Sequence, residues 1–184
     1  MLMAPPALGI SAEYRITPNG TSYFASVQVQ DQERFDFYET GLLGERVPTQ
    51  VGGISLAGEC IPCTFNWTMP AAITFPKGNY TLHYQGQLRE NHLAAMFDRP
   101  YRVVMVLPEG FDVRNPALGV VSQGGEITSA AGNTTIVTWN STRAAEIRFY
   151  DRQREEFLTI FLNFWIIIAV VLLFPFLLTW RRKK

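Results

Sequence analysis

Charge and cysteine are both scarce in this chain. Charged residues make up 17% of its 184 residues, and 16 basic residues balance 16 acidic ones, whereas globular domains usually contain roughly 25% charged residues. A hydrophobic content of 47% excludes an intrinsically disordered chain. Two cysteines are too few for a disulfide-dense mini-protein. The net charge of zero argues against a nucleic-acid-binding module, which normally has a basic face.

The common catalytic motifs are also missing. The sequence has no G-x-S-x-G, no G-x4-G-K-[ST], no H-E-x-x-H and no G-x-G-x-x-G, which are the spacings that nucleophilic, phosphate-binding and zinc enzymes need. Its carboxylates are scattered along the chain. We therefore predict a protein that is not an enzyme, with no catalytic residue, no cofactor and no metal site.

One motif has chemical potential, namely Cys60-Ile-Pro-Cys63. In an oxidising compartment this spacing favours a small structural disulfide. A C-x-P-C motif can instead exchange thiols and disulfides if a helix N-terminus lowers the pKa of the first thiol. A third possibility is a metal site completed by His83 or His92, although the spacing does not match that of zinc fingers. The motif lies between two β-like segments, and no helical pattern follows it that could lower the pKa of a thiol. We therefore expect the structural disulfide.

A long apolar run at the C-terminal end predicts a membrane span. Residues 157–180 contain no charged side chain, and about 20 apolar residues suffice to cross a bilayer. Trp180 ends the run, where an aromatic ring suits the headgroup layer. The membrane anchor is completed by basic residues, which stay on the cytoplasmic side: Arg181, Arg182, Lys183 and Lys184.

Asn163 is the polar exception within this span. Amide side chains in hydrocarbon often bond across helices, which favours a helix–helix contact. The alternative is that Asn163 reaches back towards the outer interface. The span has no small-xxx-small pattern, so a close backbone-to-backbone dimer is not indicated.

Glycosylation sequons are unusually frequent before the span. Five of the eight asparagines begin N-x-[ST], where composition alone predicts about one. The predicted glycosylation sites are Asn19, Asn66, Asn79, Asn133 and Asn140. Together with the basic tail they predict a single-pass protein of the cell membrane, with an extracytoplasmic N-terminal domain and a cytoplasmic C-terminus. Residues 1–12 read as the remnant of a signal peptide with a small-residue cleavage site at 10–12.

Period-two alternation of apolar residues predicts β-structure over residues 13–150. Residues 23–29 and 80–84 alternate cleanly, and residues 101–107 are apolar enough for a strand that is buried on both faces. Residues 64–69 place Phe65, Trp67 and Met69 on one buried face, opposite Asn66. Residues 87–97 fit a helical turn or a loop. The predicted fold is mainly β, an antiparallel β-sandwich-like domain at 13–150, joined by a linker at 151–156 to one transmembrane helix at 157–180 and a basic tail at 181–184.

The C-terminal half resembles a known family. A strand at 101–107 precedes Leu-Pro-Glu-Gly, then Asp112-Val-Arg-Asn-Pro-Ala-Leu-Gly119, a Val-Thr-Trp strand and the apolar helix. This order is similar to an archaeal family of membrane-anchored surface proteins of unknown function, best known from haloarchaea. The resemblance implies an exported single-span protein and brings no catalytic residues. Haloarchaeal members are strongly acidic, whereas this chain without its tail has 12 basic against 16 acidic residues.

These features predict a non-enzymatic binding or accessory subunit. Six residues between the last strand and the span hold the domain within about 20 Å of the bilayer, and a four-residue tail is too short to be a signalling domain. The expected partners are the membrane and another membrane or surface protein, or a second copy, with no nucleic acid. The alternative is an extracytoplasmic thiol–disulfide oxidoreductase that uses Cys60 and Cys63.

Overall fold

The computed structural model describes residues 10–41, 43–58, 60 and 62–181. The chain forms two compact units, a β domain that ends at Tyr150 and a C-terminal segment that begins at Asp151. The strands are β1 (Ser11–Ile16), β2 (Ser22–Asp36), β3 (Tyr38–Thr40), β4 (Arg46–Pro48), β5 (Val51–Gly58), β6 (Asn66–Thr68), β7 (Ala72–Gln87), β8 (His92–Leu107), β9 (Phe111–Asp112), β10 (Val120–Val121), β11 (Glu126–Ser129), β12 (Thr135–Arg148) and β13 (Tyr150–Asp151). A 3-10 turn spans Ala131–Asn133, and the helix α1 spans Arg152–Arg181.

Two long antiparallel ribbons build the sheet. Strand β2 pairs with β7, and β8 pairs with β12. Strand β1 joins the ribbons, because it is antiparallel to β2 and parallel to β8. Strand β3 follows β2 in the chain and pairs with β8, where Tyr38 lies opposite Met96. The sheet therefore curls around one core, and the predicted mainly β domain with one C-terminal apolar helix is confirmed; β1 and β8 form a parallel pair.

The predicted alternation in β2 and β7 decides which side chains enter the core. Tyr23, Ala25, Val27 and Val29 are all at most 4% exposed, and their neighbours on β2 face outward. Residues 80, 82 and 84 of β7 are buried in the same way. Because side chains alternate along a strand, one register places all of these apolar groups on the inner face.

Strand β8 differs from the prediction at both ends. Residues 101–107 alternate between buried and more exposed positions, so this stretch is fully buried on one face only. Residues 92–97 belong to the same strand and form no helical turn. The reversal before them is a two-residue hairpin turn in which Glu90 and Asn91 have φ values of 54° and 56°. Positive φ at both central residues is the geometry that suits the twist of a tight hairpin.

The short strand β6 corrects another expectation. Trp67 is 45% exposed and Met69 is 77% exposed, so neither belongs to the predicted buried face. The Trp67 ring instead stacks on Phe37 from the outside, with ring centroids 5.8 Å apart. With only three residues paired to β7, this strand lies at the margin of the sheet.

Aromatic rings fill the core where the two ribbons approach each other. Tyr14, Tyr23 and Tyr84 pack with ring centroids 5.7–6.5 Å apart, and Phe37 lies 5.0 Å from Tyr84. The hydroxyl groups of Tyr14 and Tyr84 are hydrogen-bonded at 3.1 Å. Burial raises the pKa of both phenols well above the ordinary value. This pair satisfies two hydroxyl groups that would otherwise be unpaired in an apolar core.

The N-terminal boundary of the domain lies earlier than predicted. Strand β1 begins at Ser11, and Ala12 is fully buried opposite Val27. These residues lie in the segment 1–12 that we interpret as a signal-peptide remnant, so its last residues are part of the fold. Residues 1–9 of that segment lie outside the described residues.

The second unit is one helix. Its first turn is capped by Asp151, whose carboxylate accepts a hydrogen bond from the Gln153 amide at 2.9 Å, the usual role of an acidic N-cap. Residues 152–156, which we treat as a linker, are already helical. From residue 152 to 174 the helix is long and apolar enough to cross a membrane, and none of this stretch is buried against the protein.

Candidate functional site

A polar groove of about 930 Å³ lies on the β domain. Its walls come from chain segments that are far apart in sequence: 21–22, 39, 47–52, 85–89 and 92. The pairing of β2 with β7 and of β5 with β7 brings three of these segments together. We call this feature the polar groove.

Neutral donors and acceptors dominate the polar groove. Gln50, Gln85 and Gln87 supply amides, and Ser22 and Thr49 supply hydroxyl groups. Such groups can bind a polar partner by hydrogen bonds, but they are too weakly acidic or basic to move a proton at neutral pH. The lining also contains Glu39, Arg89 and His92, so the polar groove presents both neutral and titratable groups to a ligand.

One hydrogen-bonded pair of side chains lies at the end of the polar groove. His92 Nε2 lies 2.9 Å from a carboxylate oxygen of Glu146, and both side chains are about one third exposed. The Glu146 amide donates to the Ser122 hydroxyl oxygen at 3.0 Å. The Ser122 hydroxyl therefore accepts a hydrogen bond from the backbone of β12, whereas His92 bonds to the Glu146 carboxylate. The cluster ties β10, β12 and the start of β8 together.

Beside the polar groove lies strand β5, the end strand of the main sheet. It pairs with β7 on one side, and within the described ranges nothing pairs with its other side. Residues 51–58 contain no charged residue and no proline. Edge strands of stable monomers usually carry such residues, because an unpaired edge otherwise invites another strand.

The cysteine motif follows β5 directly. Cys60 and Cys63 are joined by a disulfide with a Cα–Cα distance of 4.8 Å, as the sequence analysis predicts. Residues 63–65 lead into β6 without forming a helix, so the helix N-terminus that activates redox-active thiols is not present at this position. Both sulfur atoms are engaged, which leaves no thiolate for a metal shared with His83 or His92.

All five predicted glycosylation sites lie on the surface of the β domain. Asn19, Asn66, Asn79, Asn133 and Asn140 are exposed. The Asn19 side chain accepts hydrogen bonds from Thr17 and Thr21 in the β1–β2 turn, and that of Asn79 accepts one from the Asp31 amide. The residues are therefore accessible to a modifying enzyme; whether they carry glycans stays a prediction.

The predicted anchor residues fall partly inside the described chain. Trp180 and Arg181 are the last residues of α1, whereas Arg182, Lys183 and Lys184 lie outside the described residues. The Asn163 side chain is exposed on the helix surface. No hydrogen bond to its amide occurs within the part of the chain that the structure describes.

Sequence reasoning missed the polar groove entirely. Its lining residues are ordinary Gln, Ser and Thr side chains that no motif connects, and only the pairing of distant strands brings them together. The uncharged edge could have been recognised in part, because residues 51–58 form a β-like run that contains no charged residue. What the sequence did not indicate is that this run lies at the end of the sheet.

Comparison with known proteins places the chain in a family without assigning it an activity. No curated protein matches the chain. The model of a family of unknown function, DUF5803, matches residues 67–183. This range is well over half of the chain and runs from β6 to the end of α1, so it includes the segments that carry the resemblance noted above. The chain belongs to the DUF5803 family of unknown function.

Proposed function

We propose that this chain is a single-pass cell-membrane protein whose β domain is extracytoplasmic and whose C-terminus is cytoplasmic. In this proposal it acts as a non-enzymatic accessory or binding subunit that docks onto another membrane or surface protein. The observation that carries the docking function is the uncharged, unpaired edge of β5 beside the polar groove.

The proposed topology rests on three features of the chain. The helix exposes large apolar side chains on all sides, including Phe157, Ile167 and Leu172, which are 62–70% exposed. Water does not tolerate such a surface on a free helix, but a bilayer does. Basic residues favour the cytoplasmic side for the tail, and the five exposed sequon asparagines all precede the span in the sequence.

The docking partner that fits the edge is an extended segment of another membrane or surface protein. The free side of β5 presents backbone N–H and C=O groups, which a partner strand can satisfy by continuing the sheet. Ser55 and Ala57 are small and exposed, so they set no charge requirement on that strand. The amides of the polar groove then hydrogen-bond polar side chains of the same segment.

The test is the size of the complex in native membranes. We expect blue-native electrophoresis and cross-linking in intact cells to show a species well above the mass of one 20.8 kDa chain with its detergent micelle and glycans. Ser55→Lys and Ala57→Lys place a charge on the edge and should release the partner protein, leaving only species made of this chain, because edge charges oppose strand addition. Gln28→Lys, on an exposed position of the interior strand β2, is the matched control and should retain the complex.

Two results would contradict the proposal. One is a monomer in both assays with the unmodified chain. The other is loss of the complex in the Gln28→Lys control to the same extent as in the edge variants. Asparagine-to-glutamine changes at the five sequons, read as gel-mobility shifts, report separately whether the β domain is extracytoplasmic.

A thiol titration in redox buffer tests the alternative oxidoreductase function. If the disulfide is structural, Cys60 and Cys63 should stay unreactive in the folded protein until strong reductant is added. Rapid exchange with a glutathione buffer would instead favour redox chemistry at this motif.

A further inference from the structure

We propose that α1 associates with a second copy of itself in parallel, through one stripe of the helix centred on Asn163. The inference rests on the membrane span proposed above, and it names a partner for the helix that the docking function of the β domain does not require.

The stripe follows from the spacing of residues along the helix. Thr159, Asn163, Ile166, Val170 and Leu173 are separated alternately by four and three residues. This is the a/d pattern of a heptad repeat, and it keeps one seam of the helix directed at a partner. All five side chains are exposed on the helix surface.

The two faces of the helix differ in composition. Apart from Asn163, the stripe consists of Thr159 and the aliphatic residues Ile166, Val170 and Leu173, with Ile167 beside it. The opposite face has bulky rings, including Phe157, Phe161 and Trp165. β-Branched side chains have few rotamers, so they lose little freedom when they pack against another helix. Packing at a shallow left-handed angle needs no small-xxx-small motif.

Asn163 indicates that the partner helix at the stripe comes from a second copy of this chain. It lies six residues into the apolar run, roughly 9 Å along the helix axis from Phe157, and its short side chain cannot span that distance. Its amide has both donors and an acceptor, so two Asn163 side chains can satisfy each other. Copies inserted in the same orientation present Asn163 at the same depth. A polar residue at an a position is also the feature that fixes register in parallel coiled coils.

Cysteine cross-linking of the full-length chain in phosphatidylcholine–phosphatidylglycerol vesicles tests this arrangement. The disulfide between Cys60 and Cys63 leaves an introduced cysteine as the single free thiol. Under mild oxidation we expect disulfide-linked dimers from Ile166→Cys and Val170→Cys. Ile168→Cys and Leu172→Cys lie on the opposite face and serve as matched controls that should not cross-link.

The role of Asn163 is tested in the same assay. Asn163→Leu in the Val170→Cys background should lower the association constant roughly three- to thirtyfold, whereas Asn163→Gln should retain most of the cross-linking. Carbonate extraction reports membrane insertion independently, and Asn163→Leu should not weaken it because leucine is more apolar.

The outcomes separate this inference from the proposed function. Cross-links that are absent or uniform around the helix, in chains that resist carbonate extraction, would overturn the stripe and leave the membrane span intact. Undiminished cross-linking in Asn163→Leu would overturn the role of the amide. Release of the unmodified chain by carbonate would overturn the span and, with it, this inference.

Discussion

Apolar side chains of the same type are buried in the β domain and exposed on the C-terminal helix. In the domain, Ile73, Leu82 and Ile147 have no exposed surface, whereas Ile166, Ile167 and Leu172 of the helix are 60–67% exposed. The difference follows from the geometry of the elements. A curled sheet has an inside, so alternation can hide every second side chain, whereas a single helix has none, and in the membrane span that we propose the bilayer supplies the apolar surroundings. Substitutions therefore have different consequences in the two regions.

The largest effect is expected from Trp139→Ala in the core of the β domain. Trp139 is 1% exposed, and its indole N–H donates to the Ser122 carbonyl at 3.3 Å. Removing the ring leaves a cavity and should lower the free energy of unfolding by about 3–5 kcal/mol. Urea titration of the micelle-bound chain, followed by far-UV circular dichroism, measures the loss.

Trp67→Ala is the matched control for this change. Trp67 is 45% exposed at the margin of the sheet, so its truncation should cost clearly less, about 1 kcal/mol for the lost stacking on Phe37. Equal losses at the two positions would mean that burial does not decide the stability of this domain.

The next prediction compares two exposed isoleucines, one in each region. Ile167→Arg places a charge near the middle of the apolar run and should make membrane insertion less favourable by about 2.5–3.5 kcal/mol. Ile127→Arg changes a residue of the short strand β11 that is 39% exposed, and it should alter stability by no more than about 0.5 kcal/mol because that surface meets water. The inserted fraction in a membrane-coupled translation assay measures the first change, and urea titration measures the second. Similar tolerance at both positions would contradict a membrane span.

A smaller effect is expected at the buried tyrosine pair. Tyr14→Phe leaves the Tyr84 hydroxyl without its 3.1 Å partner and should cost about 1–3 kcal/mol. The double variant with Tyr84→Phe removes both hydroxyl groups and should recover most of that loss. A double-mutant cycle in urea measures the coupling. Additive losses would show that the two hydroxyl groups do not depend on each other.

The same pair predicts how stability changes at alkaline pH. Burial raises the pKa of Tyr14 and Tyr84 well above 10 and that of Tyr101 to about 12. The unfolded chain then loses its phenolic protons first as the pH rises. The stabilisation that these buried neutral phenols contribute is therefore fully present below pH 10, and it is lost progressively as the pH rises above 10. Phenolate absorbance should develop together with unfolding, and a flat stability profile up to pH 12 would contradict the buried cluster.

The parts of the fold that could be predicted from the sequence are those that depend only on residues close to each other in the chain. Alternation at 23–29 and 80–84 identified the core face because each residue's burial depends on its neighbours one and two positions away. The apolar helix needed only length and composition. Residues 92–97 had no readable alternation, because Leu93, Ala94 and Ala95 are all buried in succession. These residues form a strand because they pair with β12, which lies some fifty residues later in the chain. The polar groove depends on such distant pairings throughout, so no sequence pattern marks it.

The smallest expected effect lies in the hairpin turn that joins the two ribbons. Glu90 has a φ of 54°, a left-handed conformation that costs an ordinary L-residue about 1 kcal/mol and that asparagine tolerates better. Glu90→Asn should therefore raise the free energy of unfolding by about 0.5–1 kcal/mol. Glu109→Asn, at an exposed residue outside the strands, removes the same charge without a positive φ and should be nearly neutral. If both changes stabilise the domain equally, charge removal is the cause and the turn is not under backbone strain. A gain confined to Glu90→Asn would show that even the β domain, whose side chains are so well buried, retains local strain where its two ribbons meet.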